Sequence, residues 1–143
     1  MAEQDNTKII EPLAKFHAQP TTKGRITIPK ETRRVFGIEE GDYLELIVRK
    51  LDQQTKKPTK RAVVIIKLNI TGQGVIPAEL IRKMDIKIKK DVLEILLVQF
   101  FKPEEVLKGR IVFEKYVQDL LKKGYAIISE EDERNTIQFD FKV

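Results

Sequence analysis

Apolar and polar residues alternate along much of the chain, and the alternation starts after a dozen residues with little periodicity. Ala14, Phe16 and Ala18 alternate with Lys15, His17 and Gln19, the period of two of a half-buried strand, which Pro20 ends. Lys23 and Gly24 supply a turn, and Ile26 and Ile28 share one face of a short second strand. Pro29 suits the first position of a helix, where its missing N–H would be unpaired anyway. Glu31 adds a favourable charge to the first turn, and Gly37 caps a helix from Lys30 to about Phe36. The helical period turns Arg33 and Arg34 outward and Val35 and Phe36 toward a core. A turn at 39–42 leads into a strand, Tyr43 to Lys50, with Leu44, Leu46 and Val48 on one face and Glu45, Ile47 and Arg49 on the other. The polar run DQQTKKPTK at 52–60 is a hairpin loop or linker, and Arg61 to Leu68, centred on VVII, is a partly or wholly buried strand.

The pattern then restarts. Gly72, Ile76-Pro77 and Glu79 stand 48 residues after Gly24, Ile28-Pro29 and Glu31, and Arg82 and Ile86 keep that offset from Arg34 and Ile38. One residue inserted in the turn brings Asp91, Leu93 and Glu94 onto Asp42, Leu44 and Glu45. This is an internal repeat. The charges do not repeat with it: Lys23, Arg25, Lys30 and Arg33 become Thr71, Gln73, Ala78 and Ile81, while Lys87, Lys89 and Lys90 gather in the second turn. The repeated residues therefore read as scaffold and the unrepeated cations as candidates for function.

Beyond Phe101 the period lengthens. Lys102-Pro103-Glu104-Glu105 opens a helix and Lys122-Lys123-Gly124 stops one, with Val106, Phe113, Tyr116, Val117, Leu120 and Leu121 as its apolar stripe. Gly109 marks a kink or a later true start. Tyr125 to Ile128 and Thr136 to Val143 then read as the two strands of a β-hairpin around the acidic turn SEEDERN. The expected organisation is an arm at 1–12, a first unit at 13–68, a second, degenerate unit at 69–101, and a helix-and-hairpin appendage at 102–143.

Composition narrows the function classes. The 143 residues are 41% hydrophobic and include no cysteine and one histidine, so a core can form while disulfide and thiolate-metal chemistry is excluded. His17, alone on a polar face, reads as a surface residue. No apolar run approaches the roughly 18 to 20 residues of a membrane span, and the polar start MAEQDNTK is no signal peptide; a soluble cytoplasmic protein is expected. No phosphate loop, zinc motif or calcium loop is present, and no catalytic constellation, so the chain reads as neither an enzyme nor a cofactor or metal carrier. The net charge of +5 is uneven: 21–60 holds 10 basic against 6 acidic residues and 61–102 holds 8 against 4, whereas 103–143 holds 7 against 9. A basic middle with an acidic tail suits a polyanion binder and equally an ordinary Lys/Glu-rich surface. Arginine forks suit phosphate oxygens and guanine edges, and composition does not choose between these readings.

The stretch KGRITIPKETRRVFGIEEGDYLELIV resembles the swapped-hairpin DNA-binding domain of the AbrB/SpoVT/MazE superfamily. Gly24-Arg25, Ile28-Pro29, Arg33-Arg34, Gly37-Ile38 and Gly41-Asp42 carry the resemblance. It implies a mainly β fold with short helices, in which two strand-strand-helix-strand units build one small barrel that presents basic turns to DNA. Two units in one chain imply a barrel closed internally, or barrels shared between two chains. By position, Arg25, Arg33 and Arg34 match the family's DNA-contacting arginines. Lys23 and Lys30 flank them, and Arg82, Lys87, Lys89 and Lys90 are secondary candidates. The resemblance further implies double-stranded DNA as partner and pairing of two chains, for which the C-terminal helix and hairpin are the expected device. A transcriptional regulator is the leading expectation. An antitoxin and a protein-binding adaptor are the alternatives.

Overall fold

The computed structural model of the chain describes residues 11–103 and 111–137. In order these form β1 (Ala14–Ala18), β2 (Arg25–Thr27), α1 (Lys30–Phe36), β3 (Tyr43–Leu51), β4 (Pro58–Lys67), β5 (Gln73–Val75), α2 (Ala78–Lys83), β6 (Leu93–Phe101), α3 (Val117–Lys123), β7 (Tyr125–Ile128) and α4 (Glu130–Thr136). The fold is mainly β with short helices. One antiparallel sheet runs β1-β6-β3-β4-β7, and β2 with β5 makes a separate two-stranded ribbon. None of the helices is long and apolar enough to cross a membrane among the described residues.

The two repeats interlock within one chain. An offset of 48 carries β2 residue for residue onto β5, and β1 onto residues 62–66 of β4. β1 pairs with β6, and β4 pairs with β3, so each copy's first strand lies on the other copy's last strand. β2 and β5 pair with each other, Ile26 opposite Gly74. The recurring aspartates explain themselves here. Asp42 Oδ2 accepts from Glu39 N at 2.8 Å and from Lys102 Nζ at 2.9 Å. Asp91 accepts from Lys87 N at 2.7 Å and from Gln53 Nε2 at 3.2 Å. Lys102 stands 49 residues after Gln53, the same offset as Asp91 from Asp42, so each buried carboxylate is tied to the end of the other copy's last strand. The Asp42 hydrogen bond lifts the Lys102 ammonium above the ordinary lysine range.

The inward positions of the sequence reading meet in one core. Leu44, Leu46 and Val48 of β3, Leu93, Ile95 and Leu97 of β6, and Ile26, Ile28 and Ile76 of the ribbon are all buried there, with Leu80 of α2. Full burial of each such side chain contributes about 1.5–3 kcal/mol. Among the described residues the strands form a sheet and a ribbon around this core, with no closed hydrogen-bonded ring.

The other sheet face differs from expectation. Glu45 and Ile47 alternate with the inward Leu44, Leu46 and Val48, yet both are themselves fully buried. Ile47, Val63, Leu96 and Val98 form a second core with Ile111, Phe113, Leu120, Ala126, Ile128 and Ile137. The C-terminal segment covers the sheet, which is why β4 is apolar on both faces rather than alternating. The Glu45 carboxylate accepts from Val112 N at 2.9 Å, Phe113 N at 3.1 Å and Gln99 Nε2 at 2.6 Å.

That segment also departs from the hairpin reading. β7 pairs with β4, Val63 opposite Ala126, and the acidic run is helix α4 rather than a turn. The Ser129 side chain caps it by accepting from Asp132 N at 3.0 Å, and the acidic residues of the first turn favour the helix dipole. The rest of the expected second strand lies, from 138, outside the described residues, as do residues 1–10 of the arm. Of the expected long helix, α3 covers Val117–Lys123 after a 3₁₀ turn at Glu114–Tyr116, with Gly124 as the left-handed cap; residues 104–110 lie outside the description. Burial, and after it the hydrogen bond that Tyr116 donates to Asp132, pushes the phenol up to about 12.

Glu45 gives a pH prediction. Burial pushes its carboxyl above the ordinary value of 4.5, outweighing the three hydrogen bonds that act the other way. A folded-state pKa above the unfolded one contributes stability that is present below the unfolded value and lost as pH rises through the folded value. In urea titrations, the wild type is therefore expected to lose stability relative to Glu45→Gln as pH rises from about 4.5. A pH-independent difference between the two would contradict this.

Candidate nucleic-acid interface

The surface of interest is the outer face of the β2–β5 ribbon with the turns and helices at its ends. Inward Ile26, Ile28, Gly74 and Ile76 fix the ribbon to the core, so Arg25, Thr27, Gln73 and Val75 point outward. The register sets Arg25 opposite Val75 and Thr27 opposite Gln73.

The turn before β2 holds two successive left-handed residues, Lys23 (φ 68°) and Gly24 (φ 74°). Lys23 is exposed there, two residues before the exposed Arg25. Glycine is needed at the second position: an added Cβ would lie 2.6 Å from Ile81 Cδ1 and 2.8 Å from the Ile76 carbonyl oxygen. The Ile76 N–H donates to Gly24 O at 2.9 Å, so the basic turn is bolted to the other repeat.

Lys30 is exposed at the start of α1. Arg34 is also exposed and pairs with Glu31 at 2.6 Å within the same helix. An exposed pair of this kind is worth little, so Glu31 does not prevent Arg34 from meeting another anion. Arg33 is different. Its Nε donates to Ile28 O at 3.0 Å, and its guanidinium lies against Gly72 where a Cβ would stand. The sequence reading had Arg33 outward and Val35 inward, but Arg33 is partly buried while Val35 is 64% exposed. The reason is the repeat: Arg33 packs on the Gly72 turn as its counterpart Ile81 packs on the Gly24 turn. The structure brings Lys23, Arg25, Lys30 and Arg34 to the surface and gives Arg33 a bracing position.

The secondary candidates fall elsewhere. Arg82 is exposed in the last turn of α2. Lys87 pairs with Asp85 at 2.9 Å, a contact that holds the Asp85 carboxyl below its ordinary range. Lys89 (φ 68°) donates its backbone N–H to Pro20 O at 2.8 Å, and Lys90 O accepts from Gln19 Nε2 at 3.4 Å, so this turn lies against the chain that leaves β1. Lys87 and Asp91 also line a shallow groove with Lys50, Gln53 and Thr59.

Gln73, Thr27 and Val75 were not among the residues singled out from sequence. The signal existed: once the repeat is taken as a two-fold pair, its short strands must run antiparallel side by side, which puts Gln73 on the face of Arg25. Among the described residues no group of His, Cys, Asp or Glu side chains is placed to hold a metal ion.

Two interlocked strand-strand-helix-strand units that share a two-stranded ribbon define a swapped-hairpin protein. The family model for antidote-toxin recognition MazE, bacterial antitoxin, matches residues 21–53. The solution structure of PHS018 from Pyrococcus horikoshii is similar, with 34% identity and a TM-score of 0.59 over 67% of this chain and all of that one. No curated protein matches the chain. The chain belongs to the AbrB/MazE-like swapped-hairpin superfamily, a family of regulators and antitoxins rather than enzymes.

Proposed function

We propose that the chain is a double-stranded-DNA-binding transcriptional regulator whose contact surface is the β2–β5 ribbon and its flanking turn and helix. The observation that carries this is the cluster of exposed cations on the first repeat, Lys23, Arg25, Lys30 and Arg34, at positions where the second repeat is uncharged except for Arg82. The fold needs none of the first three charges, since Thr71, Gln73 and Ala78 serve the same scaffold positions. Arg25 on the ribbon, Lys23 in the turn before it and Lys30 and Arg34 on α1 are exposed cations of the kind that phosphate oxygens attract. Arg33 supports this face by holding α1 against the Gly72 turn. The strand pairing also supports a division of the two units at 14–51 and 58–101, with β4 opening the second.

Arg25→Ala tests the reading. If Arg25 neutralises a phosphate, the variant lowers the slope of log K against log salt by roughly 0.9 in mobility-shift titrations on duplex DNA. An unchanged affinity and slope would remove Arg25 from the interface.

The antitoxin reading is favoured by the description of the matched family model. Against it stands the packing of α3, β7 and α4 on the chain's own sheet, which occupies the segment that would grip a toxin. Co-purification of a small partner protein with the full chain distinguishes the two. Pairing of chains through this segment would have to use its outer side, where Leu121 and Ile127 are exposed.

A further inference from the structure

The two outward residues of β2 and the two of β5 are four different chemistries, although the strands are copies at an offset of 48. We propose that this ribbon reads an inherently asymmetric DNA sequence, with Gln73 as a base-reading residue distinct in role from Arg25; the proposal rests on the DNA-binding reading above.

A two-fold ribbon built from two identical strands would present Arg25 and Thr27 twice. Here the second pair is Gln73 and Val75, with Gln73 opposite Thr27 and Val75 opposite Arg25. All four are solvent-accessible, Val75 at 49%. The major groove admits a two-stranded β-ribbon. In that groove an arginine fork matches the O6 and N7 acceptors of guanine, and a glutamine amide matches the N6 and N7 of adenine. An exposed valine suits the thymine methyl. Gln73 is free to turn toward a base: its Nε2 lies 3.5 Å from Thr27 Oγ1 and its Oε1 3.2 Å from Thr71 Oγ1, both exposed and at the long end of hydrogen bonding. Of the cations around Arg25, Lys23 and Lys30 are not repeated around Gln73, so on this reading the first repeat anchors and the second discriminates.

Selection of the full chain on a pool of duplex DNA with a randomised centre tests this, with the footprint of each chain fixed by stoichiometric titration. The expected motif lacks two-fold symmetry within one chain's footprint. Gln73→Ala is expected to lower the ratio of specific to non-specific affinity about tenfold or more while leaving the salt slope unchanged. Gln73→Arg is expected to make the motif more symmetric and the salt slope steeper. A two-fold symmetric motif, binding without sequence preference, or a motif indifferent to both Gln73 variants would overturn the inference and leave the DNA-binding proposal intact. Failure of the wild type to bind any duplex would overturn both.

Discussion

Glu133→Ala is expected to detach the C-terminal segment from the sheet while the interlocked repeats stay folded. Glu133 lies on α4 but is 3% exposed, because its carboxylate reaches down to two arginines of the sheet. Arg61 Nε donates to Oε1 at 2.6 Å and Arg49 Nε to Oε2 at 2.8 Å, while Arg49 Nη1 reaches Glu94 at 2.7 Å. Removing the shared carboxylate takes away the ion pair of Arg61 and one of those of Arg49, which keeps its contact with Glu94. Breaking a buried ion pair from one side costs about 3–5 kcal/mol. The loss is capped, however, by the free energy that docks the segment, since undocking returns both arginines to water. Hydrogen exchange should show amides of β7 and α4 losing protection, while β3 and β6 keep theirs and the urea midpoint of the repeats moves less. Retained protection across 125–137 would show the network to be dispensable.

This network was the least legible part of the chain. Glu133 sits in the run SEEDERN, where four acids in a row look solvated, and nothing local tells a hairpin turn from the inward face of a short helix. Its partners Arg49 and Arg61 are 84 and 72 residues away. The one sequence hint was Ile47, an isoleucine on a face otherwise read as polar, next to a β4 run that does not alternate. The repeat was the most legible part, because scaffold residues recur for local reasons: buried Asp42 and Asp91 each cap a backbone N–H, and Ile-Pro closes each short strand. Arg33 fell between these cases. The helical period was right, but the rotation was misjudged by one residue, and only contact with Gly72 across the repeat shows which side of α1 is held down. At the ribbon, resemblance pointed to Arg25 as a contact and composition left it open. Neither addressed Gln73, whose place beside it depends on the antiparallel register of β2 and β5.

Gly24 and Gly72 occupy equivalent positions in the two repeats, at φ 74° and 80°, yet alanine is expected to be costly at the first and milder at the second. Both substitutions force an L residue into the left-handed region, at about 1–2 kcal/mol. At Gly24 the new methyl also meets the Ile76 carbonyl oxygen at 2.8 Å, and that strand is held by the ribbon pairing and by the hydrogen bond from Ile76 N to Gly24 O. Ile81 Cδ1, at 2.6 Å, is a side-chain atom that can shift, but the Ile76 carbonyl leaves little to yield, and overpacking of this kind adds about 1–3 kcal/mol. At Gly72 the three nearest atoms to the methyl all belong to the Arg33 guanidinium, the far end of a flexible side chain. Arg33 can swing away at the loss of its 3.0 Å bond to Ile28 O, an exchange of about 1.5 kcal/mol at this part-buried, charge-assisted site. Chemical denaturation should therefore rank Gly24→Ala below Gly72→Ala in stability, by up to about 1.5 kcal/mol. The two differ at the surface as well. Gly24→Ala shifts the turn that carries Lys23 and Arg25 and should weaken DNA binding more than its loss of stability explains. Gly72→Ala releases a cation near the ribbon and should preserve binding or strengthen it at low salt. Equal destabilisation by the two substitutions would mean that the repeats are braced alike, and that Arg33 is no softer a neighbour than the backbone of β5.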